Sequence, residues 1–350
     1  FSWEPYSHDF LVYTVVEVVD EEGFKGYSAV EFGPAYKAYL EGTVRMVLQS
    51  VEFENVSDLS RLIEVGSWIY MRLGPLETAI WDLIGRREGK PIYKLLGGGR
   101  KRVKVYASMG RLLDVDEASK LIDKYIDMGI ELVKIRLRRA RIEDDLNFAR
   151  ALAKKYSGDI DFAADANQAW GVHEPYWSRF DALKVAEELY SLGFVWLEEP
   201  LYKEDLDGLR WLRDRVDIKI AFGELEHGLS RFKVMVEKGL CDIIQSDVVY
   251  GNGYSEAVRI ASLAEVYGLE YLPHAWDPGL GWLHNLHLAA SQPKGLTRYI
   301  ETPLDPEWWF DTIFSITDEK PEINEGYVEL PDKPGIGVEI DFDKLKKFMV

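Results

Sequence analysis

Ionisable side chains stand at the ends of a series of short apolar segments in this sequence. Apolar residues lead up to each of them, as in FVWLEE and CDIIQSD, and the segment then ends in a charge. A single acid in such a place is often a helix N-cap, for which Asp is preferred but Glu, Lys, Arg and His are not. Most of the series cannot be N-caps, so we expect these side chains to meet in one site. The series consists of Lys134, Arg136, Asp165, Glu198, Glu199, Glu224, Asp247, His274 and Glu301.

Three acids from consecutive segments are candidates for a metal site. They are Asp165, one of the pair Glu198 and Glu199, and Glu224. On neighbouring strands they would lie roughly 5 Å apart per step. Carboxylates this close repel one another unless a cation lies between them. Oxygen ligands suit a hard divalent ion, which favours Mg²⁺, whereas zinc is disfavoured because the trio contains no His or Cys.

The chain from about residue 103 alternates strands and helices in a way that would position these groups. Helical segments such as DEASKLIDKYIDMG separate the apolar segments, with apolar residues at i, i+3, i+4 and i+7 and a closing Gly. Eight strands in this alternation predict a parallel α/β barrel, in which all strand ends converge on one face. An open doubly wound sheet is the alternative, but no G-x-G-x-x-G motif follows the first strand to support it. The predicted strands are 103–108, 132–137, 160–165, 194–199, 218–224, 241–247, 269–274 and 296–301.

The two ends of the chain differ from this alternating pattern. DFLVYTVVEVVDEEGFKGYSAVEFG predicts a hairpin of long strands, and GPLETAIWDLIGRREG predicts a helix. We therefore predict an α+β capping domain at 1–102 and the barrel at 103–315. The tail at 316–350 is strand-like in PGIGVEIDFDKLKKF, and we expect it to return to the capping domain.

Composition limits the possible partners. With 42 Lys and Arg against 60 Asp and Glu, the formal charge is −18 at pH 7, which disfavours nucleic acid and anionic membranes. Apolar residues make up 47% of the chain and charged residues 29%, as in globular proteins. Cys241 is the single cysteine, which excludes a disulfide framework and a Cys-based zinc site. We see no signal-peptide pattern and no apolar run of about eighteen residues, so we expect a cytoplasmic protein.

Several motifs together resemble the enolase superfamily, and within it the mandelate racemase / muconate lactonizing enzyme family. ETAIWDLIGRREGKPIYKLLGG at 77–98 and PGIGVEID near the C-terminus resemble segments of the family's capping domain. The resemblance spans nearly the whole chain. It implies a modified TIM barrel, (β/α)7β, with an α+β capping domain formed by the N-terminal region and the C-terminal tail. The barrel motifs are VKIR at 133–136, DAN at 165–167, WLEEP at 196–200, GE at 223–224, SDVVYGNG at 246–253 and PHAW at 273–276.

The resemblance also implies a cofactor and a class of partner. One Mg²⁺ per active site would be bound by Asp165, Glu198 and Glu224, which leaves Glu199 to pair with a neighbouring group. Members of the family begin their reactions by removing a proton next to a carboxylate, so the expected partner is a small-molecule carboxylate. Members often form homo-oligomers, and we expect a dimer or an octamer.

Further residues receive roles from the same resemblance. Lys134 and Arg136 occupy the family's K-x-K position, and His274 with Asp247 would be the acid/base dyad of the mandelate racemase subgroup. Glu301 matches the acid that hydrogen-bonds the substrate carboxylate. The muconate-lactonizing subgroup has a Lys where Asp247 stands, which disfavours a cycloisomerase.

Other polar and aromatic residues also lie near these motifs. Asn167 either stabilises a turn or contacts substrate, while Trp276 and Asp277 could line the pocket. His173, in the loop after the third barrel strand, could reach a substrate. The remaining pair of histidines falls on a predicted helix and is expected to serve packing or to lie on the surface; it consists of His284 and His287.

Arg136 departs from the K-x-K pattern, and this bears on the reaction. Racemisation needs a base on each face of the α-carbon, and arginine stays protonated in proteins. His274 is then the leading base, with Lys134 in reserve, and a single base suits β-elimination because it can also protonate the departing hydroxide. We therefore predict a hydro-lyase that dehydrates an aldonate or aldarate to a 2-keto-3-deoxy acid. A racemase or epimerase on the same scaffold and a catalytically silent binding barrel are the alternatives.

Overall fold

The N-terminal part of the chain is a hairpin covered by helices. The computed structural model describes residues 12–50, 56–69, 71–171 and 174–349. Strands β1 (Thr14–Val19) and β2 (Lys25–Val30) form the predicted antiparallel hairpin. The helical segments after the hairpin are α1 (Gly33–Tyr39), a π-helical segment (Leu40–Val44), α2 (Arg45–Leu48), α3 (Val56–Ile69), α4 (Gly74–Arg87) and α5 (Ile92–Leu95). The helix predicted for GPLETAIWDLIGRREG is confirmed as α4.

A barrel of eight parallel strands follows in the described residues. From β3 to β9 each strand pairs in parallel with the next, and β10 pairs in parallel with β3. The backbone N–H of Tyr271 on β9 donates to the carbonyl of Leu296, three residues before β10, at 3.0 Å, and these contacts close the barrel. This confirms the prediction of a barrel over an open sheet. The strands are β3 (Arg102–Met109), β4 (Leu132–Arg136), β5 (Asp161–Asp165), β6 (Trp196–Glu198), β7 (Lys219–Phe222), β8 (Ile243–Ile244), β9 (Glu270–Tyr271) and β10 (Tyr299–Asp305).

A long helix connects each barrel strand to the next, which gives the expected (β/α)7β order. The helix after β3 begins in a capping box, because Asp114 accepts from the Glu117 backbone N–H while the Glu117 side chain accepts from that of Asp114. None of the helices in the described parts of the chain is long and apolar enough to cross a bilayer. The connecting helices are α6 (Val115–Asp127), α7 (Ile142–Lys155), α8 (Arg179–Ser191), α9 (Leu206–Arg213), α10 (Leu229–Lys238), α11 (Tyr254–Val266) and α12 (Gly279–Ser291).

The interior of the barrel is filled by a separate apolar cluster. Its members on β4, β5 and β6 stand two residues before Lys134, Asp165 and Glu198, so they point to the same interior side. The polar site therefore rests on a packed apolar floor. The cluster consists of Tyr106, Leu132, Ala163, Trp196, Ala221, Ile243 and Leu272.

The C-terminal segment contacts both parts of the molecule. After α13 (Trp309–Ile313), strands β11 (Ile323–Asn324) and β12 (Tyr327–Glu329) form a small hairpin, and β12 pairs antiparallel with β3. This pairing of the tail with the barrel was not predicted from the sequence. Gly129, at the end of α6, has φ +75°, and a Cβ there would lie 2.8 Å from the Cα of Glu325, so the hairpin needs glycine at this position.

The last residues contact the N-terminal helices, as expected, but they are not a strand. The backbone N–H of Ile336 donates to Asp82 on α4 at 2.8 Å. PGIGVEIDFDKLKKF ends in the helix α14 (Phe342–Phe348), because Asp341 caps it by accepting from the backbone of Lys344. The strand interpretation of this segment is therefore wrong. The boundaries at 102/103 and 315/316 stay predictions.

Buried acids of α4 hold the N-terminal part against the barrel. Glu77 accepts from the backbone N–H groups of Tyr254 and Ser255 at 2.6 and 3.1 Å, so it caps the N-terminus of α11. Asp82 accepts from the backbone N–H of Tyr27 on β2 at 2.8 Å. The acids of ETAIWD are therefore structural links between the hairpin, α4 and the barrel.

The two histidines of α12 serve the same interface. His284 Nε2 lies 2.9 Å from the carbonyl of Tyr27, and His287 Nε2 lies 3.1 Å from that of Ile336. Burial lowers the pKa of His284 to about 3 and that of His287 to about 4, so both are neutral at physiological pH. The prediction that they serve packing is confirmed.

Candidate active site

Three carboxylates lie together at the carboxyl ends of neighbouring barrel strands. Asp165 ends β5, and Glu198 ends β6 as its partner across the ladder. Glu224 follows the end of β7 by two residues. One oxygen of each lies within 4.8 Å of the others, and all three side chains are buried. The structure thus brings the three expected metal ligands together; we call them the carboxylate triad.

Two cations of β4 face the carboxylate triad. Lys134 Nζ lies 2.6 Å from Glu198 Oε1 and 2.7 Å from Glu301 Oε1. The Arg136 guanidinium donates to Asp165 Oδ2. Because Lys134 and Arg136 are two residues apart on a strand, both point to the same side, as expected.

The charges of the triad fit a hard divalent cation. Burial raises the pKa of Glu198, Lys134 opposes this, and neighbouring carboxylates add to it, so that the pKa is about 8. Burial likewise raises the pKa of Glu224. A divalent ion among the three would relieve the repulsion, and carboxylate oxygens are the ligands that Mg²⁺ prefers.

His274 and Asp247 form the expected dyad. His274 Nδ1 lies 2.9 Å from Asp247 Oδ2. Asp247 Oδ1 accepts from the backbone N–H groups of Val249 and Tyr250 at 2.7 and 3.0 Å. These donors stabilise Asp247 as an anion, so Nδ1 of the imidazole carries the proton between them. This arrangement leaves Nε2 available on the triad side, 3.7 Å from Glu224 Oε2.

The prediction that Asp247 and His274 end their strands is wrong. β8 and β9 are two residues each, and both side chains lie three residues beyond them. The bonds from Asp247 Oδ1 to Val249 and Tyr250 form a turn that takes the chain out of the sheet. Glu301 also differs from the prediction, because it lies inside β10 rather than at its end.

Negative charge around His274 raises its basicity. Burial lowers the pKa of His274, but Glu224, the hydrogen bond to Asp247 and the charge of Glu301 outweigh burial and raise it to about 10. A protonated imidazole cannot accept a proton, so His274 serves as a base only when this charge is offset. The cation that the carboxylate triad requires would offset it.

A metal-free sample is expected to lose stability as the pH rises. The pKa of Glu198 is about 8 in the fold against an ordinary 4.5, so its ionisation costs stability between these values. His274 acts in the same direction, because a pKa raised from 6.5 to about 10 contributes stability that disappears as the imidazole loses its proton. The melting temperature in EDTA should therefore fall between about pH 5 and pH 8, and excess Mg²⁺ should flatten the curve. A melting temperature that is constant or rises over this range in EDTA would contradict this expectation.

Glu301 accepts from donors in two segments, strand β4 and the loop after β9. Its Oε1 lies 2.7 Å from Lys134 Nζ and accepts from Trp276 Nε1 at 2.9 Å, while Oε2 accepts from the Ala275 N–H at 3.1 Å. Burial raises the pKa of Glu301, but Lys134 and His274 outweigh it and lower it to about 2. An anionic Glu301 has no proton to donate to a substrate carboxylate. These contacts fix Lys134 and Trp276, and the expected bond of Glu301 to the substrate carboxylate stays a prediction.

Asn167 combines a turn with contacts to the charged residues. Its φ of +43° is left-handed, a conformation that Asn tolerates better than most residues. Its backbone N–H donates to Asp165 Oδ1 at 2.8 Å, and its Oδ1 accepts from Arg136. The turn interpretation is therefore supported, and the contact with substrate stays a prediction.

The direction of the Glu199 side chain follows from its backbone conformation and not from strand alternation. β6 ends at Glu198, and Glu199 has φ +45°, so strand alternation does not determine where the Glu199 side chain points. Its carboxylate is buried and has no hydrogen-bond partner in the described part of the chain, so the expected pairing is not seen. Burial, together with Glu224 and Asp165, raises the pKa of Glu199 well above its ordinary value. Glu199 does not belong to the cluster of close oxygens.

Two neutral side chains orient the triad, and neither was predicted from the sequence to belong to the site. Trp170 Nε1 donates to Glu224 Oε1 at 2.9 Å, and Gln245 Nε2 donates to Glu198 Oε2 at 2.7 Å. Gln245 stands two residues after Ile243 of the interior apolar cluster, so alternation could have indicated that it points inward. Trp170 comes from the loop after β5, whose path no periodicity reveals. His173 of the same loop lies outside the described residues.

Comparison with known families agrees with this geometry. Residues 7–97 match the N-terminal domain of the mandelate racemase / muconate lactonizing enzyme family. Residues 117–344 match the domain described as enolase C-terminal domain-like. The protein belongs to the mandelate racemase / muconate lactonizing enzyme family. The capping domain and barrel of this family member are therefore those of the enolase superfamily.

Relatives of this family member carry out different reactions. It is 32% identical over 268 residues to arabinonate dehydratase from Saccharolobus solfataricus, covering 76% of this chain and 68% of the relative. It is 30% identical over 287 residues to D-galactarolactone cycloisomerase from Agrobacterium fabrum, covering 79% and 73%. A solved structure of a racemase from Streptomyces coelicolor A3(2) with bound magnesium matches with TM-score 0.82 at 25% identity, covering 97% and 92%. Membership of the family alone therefore does not determine the reaction.

Proposed function

We propose that this protein is a Mg²⁺-dependent dehydratase of a sugar acid, either an aldonate or an aldarate. It would remove the proton next to the carboxylate and eliminate the β-hydroxyl to give a 2-keto-3-deoxy acid. The observation that carries this proposal is the His274–Asp247 dyad beside the carboxylate triad, with both cations of β4 held in buried ion pairs. The 32% identity to arabinonate dehydratase supports the same substrate class.

The carboxylate triad would hold the cofactor. Bound there, Mg²⁺ would offset the negative charge that develops on the substrate carboxylate as the α-proton leaves. Lys134 and Arg136 face the same region and would stabilise the same charge. Trp170 and Gln245 keep Glu224 and Glu198 in place through their N–H groups.

His274 would move the protons. Its Nδ1 is bound to Asp247, so Nε2 takes the α-proton, and Asp247 stabilises the resulting imidazolium. The imidazolium then returns the proton to the departing β-hydroxide. The substrate thereby loses one water, and the enol that remains becomes the 2-keto-3-deoxy acid.

The state of the β4 cations supports elimination over racemisation. A racemase needs a second base on the face opposite His274. Arg136 is held by Asp165 and stays charged. Burial lowers the pKa of Lys134, but its neighbours Glu198 and Glu301 raise it well above the ordinary value, which disfavours loss of its proton. A racemase or epimerase of a 2-hydroxy acid would require Lys134 to release it.

Screening with sugar acids tests the proposed activity. The protein is incubated with Mg²⁺ and a library of aldonates and aldarates, and 2-keto-3-deoxy acids are assayed. We expect at least one member to give this product and the rate to disappear in EDTA. Exchange of the α-hydrogen with deuterated solvent in the absence of any keto product would contradict dehydration and favour racemisation.

A further inference from the structure

Asp277 lies behind the dyad, next to helix α12. Its side chain and that of Asp247 are 0% and 1% exposed. A single amide links the two, because Asn285 Nδ2 donates to Asp247 Oδ1 at 3.1 Å and to Asp277 Oδ2 at 2.9 Å. Asp277 is therefore buried beside Asp247 and linked to it through Asn285, and its expected place in the lining of the pocket stays a prediction.

The two carboxyl groups have unequal numbers of donors. Asp247 accepts from two backbone N–H groups and from His274 in addition to Asn285. Within the described residues, Asp277 Oδ1 has no hydrogen-bond partner. Asp277 and Asp247 also share a side-chain hydrogen bond, which two ionised carboxylates cannot form because neither has a proton to donate, so one must hold a proton. The donors assign the charge to Asp247 and the proton to Asp277.

The surroundings of Asp277 also favour its protonated form. Burial, the neighbouring aspartate of the dyad and Glu31, which follows β2, together raise the pKa of Asp277 well above its ordinary value. The hydroxyls of Tyr13 and Tyr250 lie on the side of the dyad where Asp277 is buried, and Tyr250 Oη lies 3.4 Å from Glu31 Oε2. Arg72, whose charge interacts with that of Asp247, donates to the backbone carbonyls of Tyr250 and Leu225. It is thus engaged by groups other than Asp277.

We propose that Asp277 is a neutral carboxylic acid that positions Asp247 by donating its proton to it. Asp247 then keeps the orientation in which it receives the Nδ1 proton of His274. The chain of hydrogen bonds runs from Asp277 through Asp247 to His274 and ends at Nε2, which faces the triad. This role rests on the proposed function of His274 as the base.

Infrared spectroscopy tests the protonation state without any substrate. The difference between the spectra of the unaltered protein and Asp277→Asn at neutral pH should contain the carbonyl band of a protonated carboxylic acid. Asp305→Asn is the matched control, because Asp305 is equally buried but accepts from Gly110, Arg111 and the Arg111 guanidinium, and it should remove no such band. If Asp277→Asn removes no acid band, Asp277 is not a neutral acid and the proposal is overturned.

Kinetics tests the positioning role. Asp277→Ala should lower kcat on the sugar acid that the enzyme turns over by roughly tenfold, with little change in KM, since one hydrogen bond to the dyad is lost. Asp277→Asn supplies a neutral donor and should restore most of this loss. A kcat that is unchanged in Asp277→Ala, or equally low in both variants, would overturn the positioning role. A failure to find any turnover would contradict the proposed function instead, and the infrared result would still decide the state of Asp277.

Discussion

Replacing His274 with asparagine is expected to abolish turnover while leaving the protein folded. General acid–base catalysis contributes roughly 10²–10⁴-fold, and here one imidazole would serve both proton transfers, so we expect a loss at the upper end of that range. Asparagine can still donate to Asp247, as His274 Nδ1 does at 2.9 Å, which should preserve the local structure. The measurements are kcat on the identified sugar acid and the melting temperature.

His287→Asn is the matched control for this substitution. His287 is also buried, but its ring bonds the backbones of Tyr93 and Ile336 at the interface with the N-terminal part and the tail. Loss of one of these bonds should cost about 1–3 kcal/mol of stability and leave kcat nearly unchanged. Full activity in His274→Asn would remove His274 from the proposed mechanism.

Replacing Glu198 with glutamine is expected to weaken Mg²⁺ binding by about 100-fold or more. Glutamine keeps the size of the side chain but removes one of the three charges of the carboxylate triad. Substitution of residues that only support metal ligands typically costs 10–100-fold in affinity, so a ligand should cost at least as much. Titration calorimetry with Mg²⁺ measures the change directly, with no need for a substrate.

Glu199→Gln is the neighbouring control. Glu199 is buried beside the triad but lies outside its cluster of close oxygens, so we expect less than about a tenfold loss of Mg²⁺ affinity. Burial raises the pKa of Glu199, so the uncharged amide of glutamine resembles the form that burial favours. Equal losses in the two variants would contradict the assignment of Glu198, and a larger loss in Glu199→Gln would transfer the ligand role to Glu199.

The barrel and the carboxylate triad could be predicted because their causes are local in the sequence. Apolar segments ending in charge marked the strands, and residues two apart had to share a face, which placed Lys134 and Arg136 correctly. The resemblance to the family then selected Glu198 from the acidic pair. In the structure, Asp165 and Glu198 end their strands as paired neighbours.

Other features depended on contacts that no local pattern contains. The lengths of β8 and β9 follow from where the turn at Asp247 leaves the sheet. The left-handed conformation of Glu199 takes its side chain out of the alternation of the strand. The neutrality of Asp277 follows from the count of donors around two buried acids, one of which lies 30 residues away along the chain. These properties arise only when distant segments pack together.

The reaction in deuterated water tests the central claim, dehydration by a single base at the triad, most directly. The unaltered protein and His274→Asn are each incubated with Mg²⁺ and the sugar acid found by screening, and both substrate and product are followed by NMR. We expect the unaltered protein to form a 2-keto-3-deoxy acid with the loss of one water, and His274→Asn to form none. Substrate that gains deuterium at the α-carbon and inverts there, with no keto acid appearing, would contradict the claim and establish a racemase.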